Sequence, residues 1–318
     1  MIAITAKQKN HLFTATKFLV VAISFGFIIH KVRSTEVLNL EEFIRTIFSR
    51  GIVSGYLIVV FLLFAAANWC FEILKWQTLV SSFEKIDFKT AMKQSLASLT
   101  VSLATPNRIG EYGAKALYFE AQDRKKVLLL NFYSGAIQML VTTVFGIIGL
   151  FYLIQKFNLS LSYEGILIVG LIIGFLFGIG YILKEKELLF KGFSIGKIVR
   201  FFKNTAFSIK LKASLYSIIR YIIFSSLFLG LLIFFDANIS ISEAYLLIFV
   251  MYFLVSVLPT LFIFDVVIRG GVAVWLFSYV GVPELTVLST VFAMWLLNFV
   301  IPSILGSFYV ITYQPTIR

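Results

Sequence analysis

"SLATPNRIGEYGAKALY" (residues 102–118) places charged and helix-breaking residues inside an otherwise apolar chain. Pro106 and Gly110 favour a break in a helix, because proline lacks a backbone donor and glycine weakens helices. Arg108 and Glu111 put opposite charges beside that break. The stretch is therefore either a surface loop between two helices or polar chemistry held inside a membrane.

The composition of the surrounding chain favours a membrane. Of the 318 residues, 59% are hydrophobic and only 14% are charged, whereas soluble domains have about 25% charged residues. Apolar runs of about 20 residues predict an all-α polytopic membrane protein. The pattern predicts six full spans, at roughly 15–31, 52–74, 127–155, 165–183, 213–235 and 285–312.

The charge of the chain is strongly positive, at +12. The basic residues cluster in short segments between apolar runs, which is typical of cytoplasmic loops and does not require a nucleic-acid partner. A single cysteine excludes an internal disulfide, and two isolated histidines do not indicate a metal site. No metal or other cofactor is predicted.

The distribution of lysine and arginine also predicts the orientation. The segments 75–93, 124–126 and 184–212 are rich in basic residues and are expected in the cytoplasm, together with both termini. Residues 94–122 must then enter the membrane and return to the same side. Two limbs of about 12 residues each span about 18 Å, half of a hydrocarbon core, which favours a re-entrant helical hairpin. Two short complete spans would also return the chain to the same side of the membrane.

A second broken region covers residues 243–282. Its interruption is predicted between Pro259 and Gly271, with Gly270 beside Gly271 as a further helix-breaking residue. The flanking loops carry no lysine or arginine, so this hairpin is expected to enter from the outside.

The predicted layout is span, span, hairpin, span, repeated once. Each half crosses the membrane an odd number of times, so the second half is inverted relative to the first. Residues 1–318 are thus predicted to form one transmembrane domain with pseudo-repeat halves of about 1–156 and 157–318. Inverted repeats with broken helices are typical of secondary transporters.

Ionisable residues inside membrane segments are the candidate site, because burying a charge in a bilayer is costly. Facing breaks would let Arg108 and Arg269 hold a lipid phosphate, with Glu111 and Asp265 orienting them or contacting a cationic headgroup. The alternative is that Arg108 pairs with Glu111 and Asp265 pairs with Arg269. The candidate substrate-binding residues are Arg108, Glu111, Lys115, Arg220, Asp265 and Arg269.

Several of these polar residues have alternative interpretations. Lys115 either pairs with Glu111 at i,i+4 spacing or lines the cavity. Arg220 either joins the site or extends to the cytoplasmic edge. Glu72 and Lys75 are interpreted as a helix-surface ion pair near a helix end.

Other polar or aromatic side chains in the apolar runs suggest structural roles. Trp69 and Trp76 are interpreted as interfacial anchors. Asn131, Gln138 and Asn298 suit helix–helix hydrogen bonds as well as cavity lining. Pro302 is expected to kink the last span.

The pattern Pro-x-Arg-x-Gly-Glu at residues 106–111 resembles the flippase-like integral membrane family, which is related to the transmembrane region of lysyl-phosphatidylglycerol synthases. Arg269-Gly270 resembles part of the second-half element of that family. Asn107 departs from the usual glycine, and Gly270 stands where many members have glutamate. The resemblance implies a lipid-translocating bundle in the bacterial cytoplasmic membrane. The synthases also carry a soluble aminoacyl-transferase domain, which is not found in this chain, so lysyl transfer by this chain alone is not expected.

These observations predict a lipid flippase for an anionic or zwitterionic lipid. The alternatives are a membrane-embedded lipid-modifying enzyme, with Glu111 as acid or base, and a scaffold subunit of a lipid or glycolipid synthase. The chain has no GxxxxGK[ST] motif, so transport would be passive or coupled to an ion or the membrane potential, with Glu111 as a candidate proton carrier. The expected partners are membrane lipids with phosphate-bearing headgroups, and a second copy or a lipid synthase is also compatible.

Overall fold

A computed structural model describes residues 14–23, 25–26, 29, 45, 48, 52–105, 108–158, 194–257 and 265–314. Within these ranges the regular elements are helices and no strand occurs. In chain order the helices are α1 (Thr14–Ile23), α2 (Ile52–Val80), α3 (Phe88–Leu103), α4 (Gly110–Leu117), α5 (Arg124–Lys156), α6 (Ile195–Asn204), α7 (Phe207–Phe234), α8 (Ile241–Val257), α9 (Asp265–Ser278) and α10 (Glu284–Ile311).

Four helices are long and apolar enough to cross a membrane, namely α2, α5, α7 and α10. They coincide with four of the six predicted spans, and the all-α polytopic membrane fold is confirmed. The predicted span at 15–31 is described only in part, by α1. The predicted span at 165–183 lies outside the described residues.

The first predicted break separates α3, which ends at Leu103, from α4, which begins at Gly110. The hydroxyl of Thr105 accepts a hydrogen bond from the Gly110 N–H at 2.8 Å, so it caps the start of α4. A Cβ on Gly110 would lie 2.8 Å from the carbonyl oxygen of Val101. Glycine is therefore required where the two limbs converge, while Pro106 lies outside the described residues.

The limbs of this hairpin are unequal, which corrects the expectation of about 12 residues each. Helix α3 has 16 residues and α4 has 8, or about 24 and 12 Å. The short α4 ends at Leu117, and a segment with turns leads from there to the start of α5 at Arg124.

Helix α3 begins at a capped, solvent-exposed end. The carboxylate of Asp87 accepts a hydrogen bond from the Thr90 N–H at 2.9 Å. Hydrogen bonding from Thr90 stabilises the charged form and lowers the pKa of Asp87 below its ordinary value of 3.8. The folded state therefore gains stability from this carboxylate above that value.

Asp87→Asn is expected to flatten the acid limb of the stability curve. Because the folded pKa is depressed, the contribution of Asp87 is fully present above pH 3.8 and is lost as the pH falls through the lower folded value. Asparagine still caps the helix but does not titrate in this range. Thermal unfolding between about pH 5 and about pH 2 should show a steeper acid loss in the wild type, and parallel curves would contradict the assignment.

The second hairpin joins α8, which ends at Val257, to α9, which begins at Asp265. Helix α9 runs through Gly270 and Gly271, so the prediction that these glycines break the helix is wrong. A Cβ on Gly270 would lie 3.2 Å from the side chain of Leu288, so this glycine provides close packing against α10. Pro259 lies outside the described residues.

The two hairpins pack reciprocally. Helix α3 packs against the second half of α10, α8 packs against α5, and α2 packs against α7. In both hairpin contacts a glycine faces a leucine carbonyl. A Cβ on Gly306 would lie 2.1 Å from the oxygen of Leu96, and one on Gly149 would lie 2.5 Å from that of Leu246. Each hairpin thus packs against the last span of the other half, and the pseudo-repeat of two halves stays a prediction.

A π-helical turn, Leu296–Val300, interrupts α10. In an α-helix the carbonyl of Asn298 would accept a hydrogen bond from the backbone N–H of residue 302, but Pro302 has no N–H. The indole N–H of Trp69 donates to this carbonyl instead, at 3.1 Å. The predicted effect of Pro302 therefore takes the form of a π-turn that ties α10 to α2.

Candidate functional site: a charged cavity at the first helix break

The main cavity has a volume of about 350 Å³ and lies among α2, α5, α7, the first hairpin and the π-turn of α10. It brings together four of the predicted site residues. These are Arg108, Glu111, Lys115 and Arg220. It also contains Glu72 and Lys75, which the sequence placed in a surface ion pair.

Glu72 forms the centre of the first ion-pair group. Its Oε2 atom lies 2.8 Å from the Nζ of Lys75 and 2.9 Å from Nη1 of Arg220. The Arg220 guanidinium also donates to Gln138 at 3.3 Å. The Lys75 side chain is only 2% exposed, so the pair is buried rather than superficial. Arg220 is therefore held in the wall of the cavity by side chains of α2 and α5.

Lys115 forms the centre of the second group. Its Nζ atom lies 2.9 Å from Oε1 of Glu111 and donates to Oδ1 of Asn131 at 2.8 Å. It also lies 4.4 Å from the ring centroid of Trp76, within cation–π range. Both interpretations of Lys115 hold, because it pairs with Glu111 and also lines the cavity.

Arg108 lies in the break itself, with a φ of 56°. This left-handed conformation is uncommon for a residue with a side chain and is often retained at functional sites. The Arg108 guanidinium carbon lies 4.9 Å from the ring centroid of Phe299, which belongs to the π-turn of α10. The break of the first hairpin and the π-turn of the last span therefore meet through this contact.

Basic side chains outnumber acidic ones among the described residues that line the cavity. There, four basic side chains and two carboxylates give an excess of two positive charges when all are ionised. Such a set of basic side chains can form charge-assisted hydrogen bonds to a bound anion. The cavity is thus suited electrostatically to an anion.

The structure does not bring Arg269 into this cavity. Arg269 lies in helix α9 and lines a separate cavity of about 10 Å³. Phe224 and Phe299 line both cavities and form the wall that they share. The expected pair of arginines on one phosphate is therefore not formed here. The side chain of Asp265 lies outside the described part of the chain.

Two tryptophans have roles that differ from the prediction. Trp69 lines the cavity and donates to the backbone of Asn298, whereas an interfacial anchor was expected. Trp76 is completely buried, and its indole donates to Gln94 at 2.7 Å. The available signal was the spacing of polar residues on one face of α2, at Asn68, Glu72 and Lys75.

No group of three or more His, Cys, Asp or Glu side chains in the described residues could hold a metal ion. Comparison with protein-family models, curated proteins and solved structures finds no significant match to this chain. The family resemblance therefore stays a prediction.

Proposed function

We propose that this protein moves a lipid with a phosphate-bearing headgroup between the leaflets of the bacterial cytoplasmic membrane, with both termini in the cytoplasm. The observation that supports this most strongly is that basic side chains outnumber acidic ones among the described residues that line the main cavity. A phosphate would interact with Arg108 at the hairpin break and with Lys115 behind it, through charge-assisted hydrogen bonds.

The position of the cavity favours a lipid over a water-soluble anion. Gly135 and Met139 of α5 line the cavity and are exposed. Phe132 and Leu140 on the same helix are 51% and 66% exposed, which is typical of a lipid-facing surface. A headgroup can therefore enter beside α5 while its acyl chains stay in the hydrocarbon.

The polar groups in the cavity also favour a zwitterionic or anionic headgroup over a purely cationic one. Glu72 is already shared by Lys75 and Arg220, and Glu111 is paired with Lys115. The carboxylates thus have cationic partners inside the protein, whereas the basic side chains outnumber them. Binding of an anionic group would balance this excess.

Arg108→Ala is expected to lower the rate of lipid transport about 10- to 100-fold. The loss corresponds to one hydrogen bond to a charged acceptor, about 1.5–3 kcal/mol. The measurement is dithionite quenching of a dye-labelled phospholipid in proteoliposomes containing only the purified protein. Arg200→Ala, which removes a cation from the exposed helix α6, is the matched control and should retain the wild-type rate.

A wild-type rate in Arg108→Ala would reject Arg108 as a phosphate ligand. If the wild-type protein moves no lipid, the transporter proposal fails. A chemically altered lipid detected by mass spectrometry would then favour the enzyme alternative, and an unaltered lipid would favour the scaffold alternative.

A further inference from the structure

The small cavity beside the main one contains two polar groups in an apolar setting. Arg269 of α9 and Tyr252 of α8 line it, together with aromatic and aliphatic side chains such as Phe228 and Trp295. Its volume of about 10 Å³ is close to the minimum for a single water molecule. A larger ligand requires one of its walls to move.

The hydroxyl of Tyr252 is unusual in this cavity. Tyr252 is only 8% exposed, and its buried hydroxyl has no hydrogen-bond partner among the residues that the structure describes. Buried polar groups nearly always have a partner, so an exception of this kind needs an explanation. A ligand oxygen held by the neighbouring arginine would accept this hydrogen bond.

The wall between the two cavities is aromatic and is coupled to Arg108. Phe224 and Phe299 line both cavities, and the Phe299 ring lies 4.9 Å from the Arg108 guanidinium carbon. Next to Phe299, the amide of Asn298 accepts a hydrogen bond from Asn68 at 2.8 Å. The indole of Trp69 also donates to the Asn298 carbonyl at 3.1 Å, so both the side chain and the backbone of the π-turn are bonded to α2.

We propose that Arg269 and Tyr252 form a second subsite for the phosphate of the transported lipid, closed in this structure by Phe224 and Phe299. The proposal rests on the proposed function, because it takes the same substrate further along its path. A phosphate that binds Arg108 competes with the Phe299 ring for the guanidinium. Loss of that cation–π contact frees Phe299 to rotate, and the phosphate then reaches the guanidinium of Arg269 and the hydroxyl of Tyr252.

The test is a double-mutant cycle measured by equilibrium binding of dihexanoyl phosphatidic acid to the purified full-length protein in detergent. Tyr252→Phe removes only the hydroxyl, and Phe299→Ala opens the wall. Tyr252→Phe is expected to change the affinity less than twofold in the wild-type background, where at equilibrium the wall is mostly closed and most of the bound probe is at Arg108. In the Phe299→Ala background it is expected to weaken binding about tenfold, as one hydrogen bond to a charged acceptor is lost.

Tyr245→Phe is the matched control. Tyr245 lies on the same helix, and its hydroxyl is hydrogen-bonded to Ser226 at 2.8 Å, outside both cavities. It should leave the affinity unchanged in both backgrounds. If Tyr252→Phe has no effect in the Phe299→Ala background, or an equal effect in both, the second subsite is rejected.

Transport separates the two proposals. In proteoliposomes Tyr252→Phe should lower the rate about tenfold, while Tyr245→Phe should not. A wild-type protein without transport activity refutes the proposed function, whereas the binding cycle still decides whether Arg269 and Tyr252 bind a phosphate.

Discussion

Replacing Glu72 with Gln is expected to lower the free energy of unfolding by about 3–5 kcal/mol, because removing one partner of a buried ion pair leaves uncompensated charge. Glu72 lies within 2.9 Å of both Lys75 and Arg220, so it screens two cations from each other. Glutamine keeps the size of the side chain but removes the charge. The Lys75 side chain, at 2% exposure, cannot turn to water without moving α2.

The measurement is the free energy of unfolding from an SDS titration of the purified protein in mixed micelles. Asp123→Asn is the matched control, because Asp123 and Lys126 form an i,i+3 pair at the same 2.8 Å, with Lys126 49% exposed. Exposed pairs contribute about 1 kcal/mol or less, so this variant should be nearly neutral. Because the two pairs have the same separation, the difference between the two variants reports the effect of burial.

A second variant separates charge from packing. Glu72→Gln combined with Lys75→Met removes one charge of each sign, so the cavity keeps its excess of positive charge. It should recover only part of the stability that the single variant loses, because Arg220 still lacks its ion pair with Glu72. If Glu72→Gln alone is no more destabilising than Asp123→Asn, the assignment of a buried, stabilising ion pair is wrong.

The misplacement of Glu72 and Lys75 has a clear physical cause. The hydropathy pattern ended the span near residue 74, which put the pair at a helix end, where an exposed pair is common. Helix α2 in fact continues to Val80, so Lys75 lies more than one turn inside the helix and is covered by neighbouring helices. Hydropathy is averaged over a window of residues. A short polar segment lowers this average, so the predicted span ends before the buried helix does.

The first hairpin was predictable because its signals are local. The missing donor of proline and the small size of glycine marked the break before Gly110, and the charges of Arg108, Glu111 and Lys115 then had to share one place. Arg220 joined them through the ion pair with Glu72, which required only that α2 and α7 be neighbours.

The second half was less predictable, because its arrangement depends on tertiary contacts. Gly270 resembles a helix breaker in sequence, but it serves the packing of α9 on α10. Arg269 is kept from Arg108 by two phenylalanines, Phe224 of α7 and Phe299 of α10, which are distant in the chain. No local pattern indicates which aromatic side chain will lie between two charged ones.

Gly306→Ala is expected to cost about 3 kcal/mol of stability and to impair transport. The added Cβ would lie 2.1 Å from the carbonyl oxygen of Leu96 and 2.4 Å from Oγ1 of Thr100. Overpacking usually costs about 1–3 kcal/mol, and the upper value is expected because a backbone carbonyl cannot rotate away. Helices α3 and α10 must therefore separate, which breaks the hydrogen bond from Thr100 to the Ser303 carbonyl, 2.9 Å long.

The consequence for function follows from the position of α3. This helix carries Ser95 and Leu99 in the wall of the main cavity and leads directly into the break at Arg108. Its displacement should move Arg108 away from the π-turn of α10 and slow transport, even at temperatures where the variant stays folded. Unfolding by SDS titration and dye-lipid transport in proteoliposomes measure the two effects separately.

The matched control is Gly113→Ala, in which the same change is made in α4, where no atom lies within 4 Å of the new Cβ. It should be neutral or stabilising by up to about 1 kcal/mol, because alanine favours a helix more than glycine does.

Gly149→Ala, facing the Leu246 carbonyl in the reciprocal contact of α5 with α8, should lose stability as Gly306→Ala does. Equal stability of Gly306→Ala and Gly113→Ala would show that α3 and α10 do not approach so closely. A loss at Gly306 without one at Gly149 would argue against equivalent packing in the two halves, and with it against the pseudo-repeat.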